Sequence, residues 1–303
     1  MDKWQKAELV RLAGGEISFD CPMAQYTTWH VGGQSEAIYE SDDLKDLRQV
    51  IVYLNSEHIP YFIVGRGSNL LVKDKGLEGL VIFLKGSLAA VEHEKTDELT
   101  ILAGAGLPLV DLLVYCRGSG LGGIECFAGI PGTVGGAVAM NAGAFGNEFG
   151  SRVHEILLIT SRGDLITKNR AQLRFSYRQL EIEKGSVIIR AKLKLKRESS
   201  EIVAERIADY LKIRKGNQPL EYPSAGSVFK NPPNEYAGRL IENAGLKGKR
   251  VGGAIISKKH ANFIVNTGGA KAKDILDLIK LAQAAVKKET GIVLEPEIKV
   301  MGN

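Results

Sequence analysis

Ile130-Pro-Gly-Thr-Val-Gly-Gly-Ala-Val-Ala-Met-Asn-Ala-Gly-Ala-Phe-Gly146 is the centre of a segment, Gly118 to Gly150, that holds eleven of the chain's 35 glycines in 33 residues. Glycine at that density costs backbone entropy and packs nothing, so it is kept where the chain takes left-handed dihedrals or approaches a ligand closely. The residues between these glycines are small or apolar rather than serine and charge, which excludes a solvated linker. A buried glycine loop with free N–H groups suits a phosphate, above all the pyrophosphate of a large cofactor. A series of tight turns at a sheet edge is the competing explanation.

Upstream, Ser41 is positioned to cap a helix whose first turn carries Asp42 and Asp43, favourable at the positive end of the helix dipole. Leu44, Leu47, Ile51 and Leu54 form its apolar stripe. The run Tyr61-Phe-Ile-Val64 then leads into Gly65-Arg-Gly-Ser-Asn-Leu-Leu71, a second candidate phosphate cradle. Position 70 is leucine, so the third glycine of a dinucleotide-binding fingerprint is missing, and no clear βαβ unit surrounds the turn. Further strands are expected at Leu80–Leu84, Leu99–Ala103 and Val153–Thr160. From Ala191 to Lys196 apolar residues alternate with lysines, the period of a sheet with one wet face, hence antiparallel. Composition changes at Arg197-Glu-Ser-Ser-Glu201. Beyond it a helix is expected to about Lys215, burying Val203, Ile207 and Leu211, and another from about Ala272 to Glu289 with Ile275, Leu278, Ile279, Ala282 and Val286 on one face. The class is α+β.

With 303 residues, 44% hydrophobic and 25% charged, the chain has the composition of a soluble globular protein of two or three lobes. A net charge of +5, without blocks of like charge, is too small to argue for nucleic acid. Cys21, Cys116 and Cys126 form no Cys-x-x-Cys pair, so neither a disulfide framework nor a zinc site is indicated. Met1 to Leu12 reads as an amphipathic helix rather than a signal peptide, and no apolar run approaches the ~20 residues that span a bilayer. A cytoplasmic protein without membrane insertion is the expectation; nothing sets the oligomeric state, and a monomer is compatible with the reading.

Three segments combine reactive side chains with turn chemistry. Phe175-Ser-Tyr-Arg178 ends in an arginine, whose fixed donor fork suits a carboxylate or phosphate. Tyr222-Pro-Ser-Ala-Gly-Ser-Val-Phe-Lys-Asn-Pro232 presents Ser224, Ser227, Lys230 and Asn231 between prolines. It is not a nucleophile elbow, and no histidine obviously partners either serine. Leu294-Glu-Pro-Glu-Ile-Lys-Val300 reads as a C-terminal strand with Glu295 and Glu297 on one face; a buried member of that pair would be a general acid or hydrogen-bond donor. Lys258, Lys259 and His260 read as a solvated turn, with approach to a diphosphate as the alternative.

In order, these segments resemble the MurB family of UDP-N-acetylenolpyruvoylglucosamine reductases. Gly65-Arg-Gly-Ser-Asn69, Ile130-Pro-Gly-Thr-Val-Gly-Gly-Ala137 with Asn141-Ala-Gly143, Tyr177-Arg178, Gly226-Ser-Val-Phe-Lys-Asn-Pro232 and Leu294-Glu-Pro-Glu297 match in type and order, from about Thr27 to Val300. The resemblance implies an FAD-binding region of two α+β subdomains of the vanillyl-alcohol-oxidase type, expected at 1–85 and 86–197, and a C-terminal substrate lobe at 198–303. It implies NADPH-dependent, FAD-mediated reduction of an enolpyruvyl ether to the lactyl ether of UDP-N-acetylmuramate, a cytoplasmic step of peptidoglycan precursor synthesis, with hydride passing from flavin N5 to the methylene carbon. FAD would be held by Gly65, Arg66, Gly67, Ser68, Asn69 and Leu70, and by Pro131, Gly132, Thr133, Gly135, Gly136, Asn141, Ala142 and Gly143. Ser227 would be the proton donor, Arg178 and Glu295 the stabilisers of the enolate, and Tyr177, Lys230 and Asn231 substrate contacts; no metal is implied. The direct passage from Tyr177-Arg178 to the strand at Val187 resembles the shorter subtype. Leu180 departs from the serine that the family often carries two residues after the arginine.

Two rival readings use the same residues. One is another FAD-dependent oxidase on this scaffold, with His30 and Cys126 as the positions to check for covalent flavin. The other is a non-catalytic nucleotide-binding module, which accounts for the glycine loops but not for Arg178, Ser227 and Glu295 together.

Overall fold

A computed structural model of the chain describes residues 1–302. These form two compact units: Met1–Phe19, Ala37–Gly65 and Gly79–Lys212 make the first, and Asp20–Glu36, Arg66–Glu78 and the chain from Ile213 onward make the second. The division falls inside a helix, at Lys212, rather than at the composition change near residue 200.

In the first unit, helix α1 (Lys3–Ala13) starts at an Asp2 capping box and buries Leu9 and Ala13. Helix α2 (Leu44–Ser56) is capped by Asp43, whose Oδ1 accepts from the N–H groups of Lys45 and Asp46 at 2.7 and 3.1 Å. The expected cap, Ser41, is instead buried, still in the strand Gln34–Ser41, and donates to the Asp43 carbonyl. The α2 stripe buries Leu47, Val50, Ile51 and Leu54. A four-stranded sheet in the order Ile17–Pro22, Gln34–Ser41, Leu77–Leu84, Tyr61–Ile63 includes one parallel pair, Tyr61–Ile63 beside Leu80–Ile82.

The larger sheet of this unit has five strands in the order Leu165–Asn169, Val153–Ile159, Val187–Lys194, Asp97–Gly104, Val91–Glu94, with every pairing antiparallel. The lysine alternation gives the expected antiparallel strand: Val187, Ile189, Ala191 and Leu193 are buried while Arg190 and Lys194 are exposed. A sheet of this kind is not the parallel sheet of a dinucleotide-binding βαβ domain. Against its apolar face lies the short helix α4 (Val134–Ala139) of the glycine segment, and helix α3 (Leu109–Gly118) shares the same core. Helix α5 (Ser200–Asn217) buries Val203, but Leu211 is 43% exposed, contrary to the stripe read from sequence.

The second unit packs helices α6 (Ala237–Asn243) and α7 (Ala272–Thr290) with a three-stranded antiparallel sheet, Arg250–Val251, Ala254–Ile256 and Ile264–Asn266. All five apolar positions expected on α7 are buried. Trp29, fully buried, donates from Nε1 to the Ile264 carbonyl at 2.7 Å, and the Asn266 amide returns a bond to the Trp29 carbonyl. Leu70–Val72 pairs in parallel with Lys299–Met301. The expected C-terminal strand therefore begins only at Lys299; residues 294–298 make a single bridge, Phe229 with Pro296.

Candidate functional site

The strand end at Gly65 meets the second glycine turn inside the first unit. A Cβ on Gly65 would lie 2.5 Å from Thr133 Oγ1, so only glycine lets the strand end rest against the second turn. Thr133 caps α4, and the N–H groups of Val134 and Gly135 bond the carbonyls of Leu107 and Ala105. The free donors expected in this loop are thus largely spent on the neighbouring chain, because a six-residue helix wedged against a sheet must satisfy its own first turn. In the second unit, by contrast, the N–H groups of Arg66, Gly67 and Ser68 meet no protein acceptor among the described residues. Successive unspent N–H groups form a concave donor set suited to an anion.

Asn141 is fully buried, at φ +41°, and its side chain joins three segments. Nδ2 donates to Glu148 Oε2 and to the Ser176 carbonyl at 2.8 and 2.9 Å, and Oδ1 accepts from Gly150 N–H at 3.0 Å. Both amide protons are thereby spent within the protein, and they fix the hairpin Phe175–Ser176/Gln179–Leu180. Tyr177 and Arg178 form the tip of that hairpin. Arg178 adopts φ +61°, its guanidinium lies 4.8 Å from the Tyr177 ring centre, and a Cβ on Gly143 would fall on it. Leu180 is 5% exposed in the core, which explains an apolar residue at that position.

The second unit gathers the other candidates. Residues 228–230 pair with residues 295–297: Lys230 N–H donates to the Glu295 carbonyl at 2.9 Å and Glu297 N–H to the Val228 carbonyl at 2.8 Å. Lys230 Nζ lies 2.5 Å from Glu295 Oε1. The Glu295 side chain is 69% exposed, so the fold presents an ion pair rather than the secluded acid considered from sequence. Ser227 follows Gly226 (φ +72°), is partly exposed, and its hydroxyl has no hydrogen-bond partner among the described residues. Asn231 Oδ1 accepts from Ala237 N–H at the start of α6. Sequence reasoning had no reason to join Lys230 to Glu295 across 64 intervening residues, and it passed over Asn262; the signal was a lone amide in the apolar run Ala261-Asn-Phe-Ile-Val265. Cys126 is buried, and no helix among the described residues is long and apolar enough to cross a membrane.

Residues 218–301 match the C-terminal domain of UDP-N-acetylenolpyruvoylglucosamine reductase, and residues 35–169 match an FAD binding domain. A UDP-N-acetylenolpyruvoylglucosamine reductase of Geobacter metallireducens is 43% identical over 294 residues, 95% of each chain. That of Syntrophus aciditrophicus is 39% identical over 302 residues, 99% of this chain and 97% of its own. The crystal structure of the enzyme from Thermus caldophilus superposes with a TM-score of 0.81 at 37% identity, covering 95% of this chain and 99% of that one. The donor set at residues 66–68 fits the diphosphate of FAD. By its matched domains, its fold and its full-length relatives, this chain belongs to the UDP-N-acetylenolpyruvoylglucosamine reductases, the FAD-dependent oxidoreductases of peptidoglycan precursor synthesis.

Proposed function

We propose that the chain reduces UDP-N-acetylglucosamine enolpyruvate to UDP-N-acetylmuramate with NADPH as reductant, in the cytoplasm, through Arg178, Ser227 and Glu295. The chemistry that FAD supplies when bound is hydride transfer from N5, replenished by NADPH. An enolpyruvyl ether is electron-rich, so it accepts hydride at its methylene carbon only if the charge arriving on its carboxylate is stabilised in the transition state. Arg178 supplies the cationic fork, and Glu295, in its protonated form, the second hydrogen bond. Ser227 protonates the adjacent carbon and is recharged through Lys230 or water. Tyr177 and Asn231 contact the substrate. The FAD-binding residues are those of the two glycine turns, with Asn141 acting through the backbone it orders. The lobes at 1–85, 86–197 and 198–303 are the proposed functional divisions.

The observation that carries this reading is the pairing of residues 228–230 with 295–297, which puts Ser227, Lys230 and Glu295 on one small platform. Anaerobic stopped-flow absorbance tests it. NADPH is expected to bleach the flavin near ~450 nm, and the enolpyruvyl sugar nucleotide to restore it without oxygen, the two half-reactions being read separately. Restoration by oxygen alone overturns the substrate assignment and favours an oxidase.

A further inference from the structure

The platform that carries Ser227 is held on one side by residues 295–297. On its other side stands a residue with no part in the chemistry so far. Asn262 is 4% exposed. Its Oδ1 accepts from Phe229 N–H at 2.9 Å, its Nδ2 donates to the Phe229 carbonyl at 2.8 Å, and its own carbonyl accepts from Val228 N–H at 2.8 Å. A side-chain amide is a peptide group in miniature, with one acceptor and a donor pair. Here it gives Phe229 the two bonds that a neighbouring strand would give, at a point where the main chain cannot. Residues 257–263 turn back on themselves: Ser257 N–H bonds the Phe263 carbonyl, Phe263 N–H the His260 carbonyl, and the Ser257 hydroxyl accepts from Lys259 and His260 N–H.

With Asn262 on one side and 295–297 on the other, the N–H groups of Val228, Phe229 and Lys230 and the carbonyls of Val228 and Phe229 are all engaged. The peptide planes on either side of Phe229 are therefore fixed. Ser227 and Lys230 flank this clamped pair of residues, so their side chains leave a backbone whose direction is set. We infer that Asn262 is a positioning residue for the reduction, holding Ser227 and Lys230 at the reacting distance through the Phe229 backbone. The inference rests on the proton-donor role proposed for Ser227. A leucine keeps asparagine's branch at Cγ but makes neither bond, and an aspartate, close to asparagine in volume, loses only the donor; agreement between the two separates positioning from packing.

The test uses the FAD-loaded enzyme, with Asn262→Leu and, should that variant fold poorly, Asn262→Asp, which keeps the acceptor for Phe229 N–H and loses the donor. Flavin reduction by NADPH is expected within about twofold of wild type. Reoxidation by the enolpyruvyl sugar nucleotide should slow by about 10²-fold, the cost of an ångström-scale misplacement. Amide hydrogen exchange across residues 226–232 should quicken. In a Ser227→Ala background the same change should cost less than about threefold more, since a residue acting through Ser227 has little left to act on. An equal fall of both half-reactions, or a full penalty in the Ser227→Ala background, overturns the positioning role, as does a variant that reoxidises like wild type. A wild-type enzyme whose reduced flavin ignores the sugar nucleotide overturns the proposed function instead, while the exchange data still read the clamp.

Discussion

Arg178 occupies the left-handed region at a hairpin tip, where asparagine or glycine would be at ease. A non-glycine residue held there costs about 1–3 kcal/mol and persists only when its surroundings enforce it. The enforcement is visible: Asn141 grips the Ser176 carbonyl and the Tyr177 ring lies beside the guanidinium. Such strain at an arginine is reasonable if the fork must point one way. Arg178→Lys is therefore expected to lower kcat by more than it raises KM, because an ammonium on a flexible stem keeps the charge and loses the fork; steady-state kinetics with unchanged kcat would remove the role. Ser227→Ala should slow oxidative turnover by about 10²–10⁴-fold, the usual cost of a lost general acid. Flavin reduction by NADPH should be nearly intact; a parallel loss of both would make Ser227 structural.

At the scale of elements, α7 shows how distant segments fix one another. Asp74, in the loop beyond Leu70–Val72, accepts from Ala272 N–H at 2.9 Å and Lys273 N–H at 3.0 Å at the start of that helix. Asp74→Ala leaves two first-turn donors to water and removes a negative charge from the positive end of the dipole, a cost of about 1 kcal/mol at an exposed cap. In a chain of 303 residues the thermal midpoint should fall by about 1–2 °C, with Asp74→Asn losing less. Calorimetry of the holoenzyme reads both; an unchanged midpoint for Asp74→Ala would show that the cap contributes nothing. The strands Tyr61–Ile63, Leu77–Leu84, Asp97–Gly104, Val153–Ile159 and Val187–Lys194, with α1, α2 and α7, were legible because burial follows a local period, as the lysine alternation and the α7 stripe illustrate. The cap of α2 was misread by two residues because Ser41 and Asp43 are both competent caps, and the choice between them was made by the strand that keeps Ser41. Leu211 was misread because its helix buries only one narrow line of residues, and a helical period alone does not say how wide the buried stripe is. The candidate residues were legible as motifs, but their pairing was not: Lys230 meets Glu295, and Asn262 meets Phe229, only through long-range folding.

Across the whole molecule, the second unit assembles residues 20–36 and 66–78 with the chain from 213 onward, so its integrity depends on contacts between ends of the sequence. One titratable group lies within its turn architecture. His260 Nδ1 accepts from Asn262 N–H at 3.2 Å, and the ring meets Phe263 edge-on. Burial, aided by the nearby Lys247 charge, pushes the His260 pKa below its ordinary 6.5, while a backbone bond and Glu242 oppose that shift. A base whose folded pKa is depressed binds its proton more readily when unfolded, so stability rises with pH through this window. The loss should begin as pH falls below about 6.5 and level off below the folded pKa, where both states are protonated. Asp97, held down to about 2 by its bonds from Lys194, Thr100 and Leu99, titrates well below this window and leaves it clear. Protonated at Nδ1, the imidazole also loses its acceptor for Asn262 N–H, so loosening should spread to the clamp on Phe229. Thermal midpoints between pH 7.5 and 5 are therefore expected to fall more steeply for wild type than for His260→Gln, with faster exchange across 226–232 at the acid end in wild type alone. Equal slopes would show that His260 contributes nothing to the acid limb.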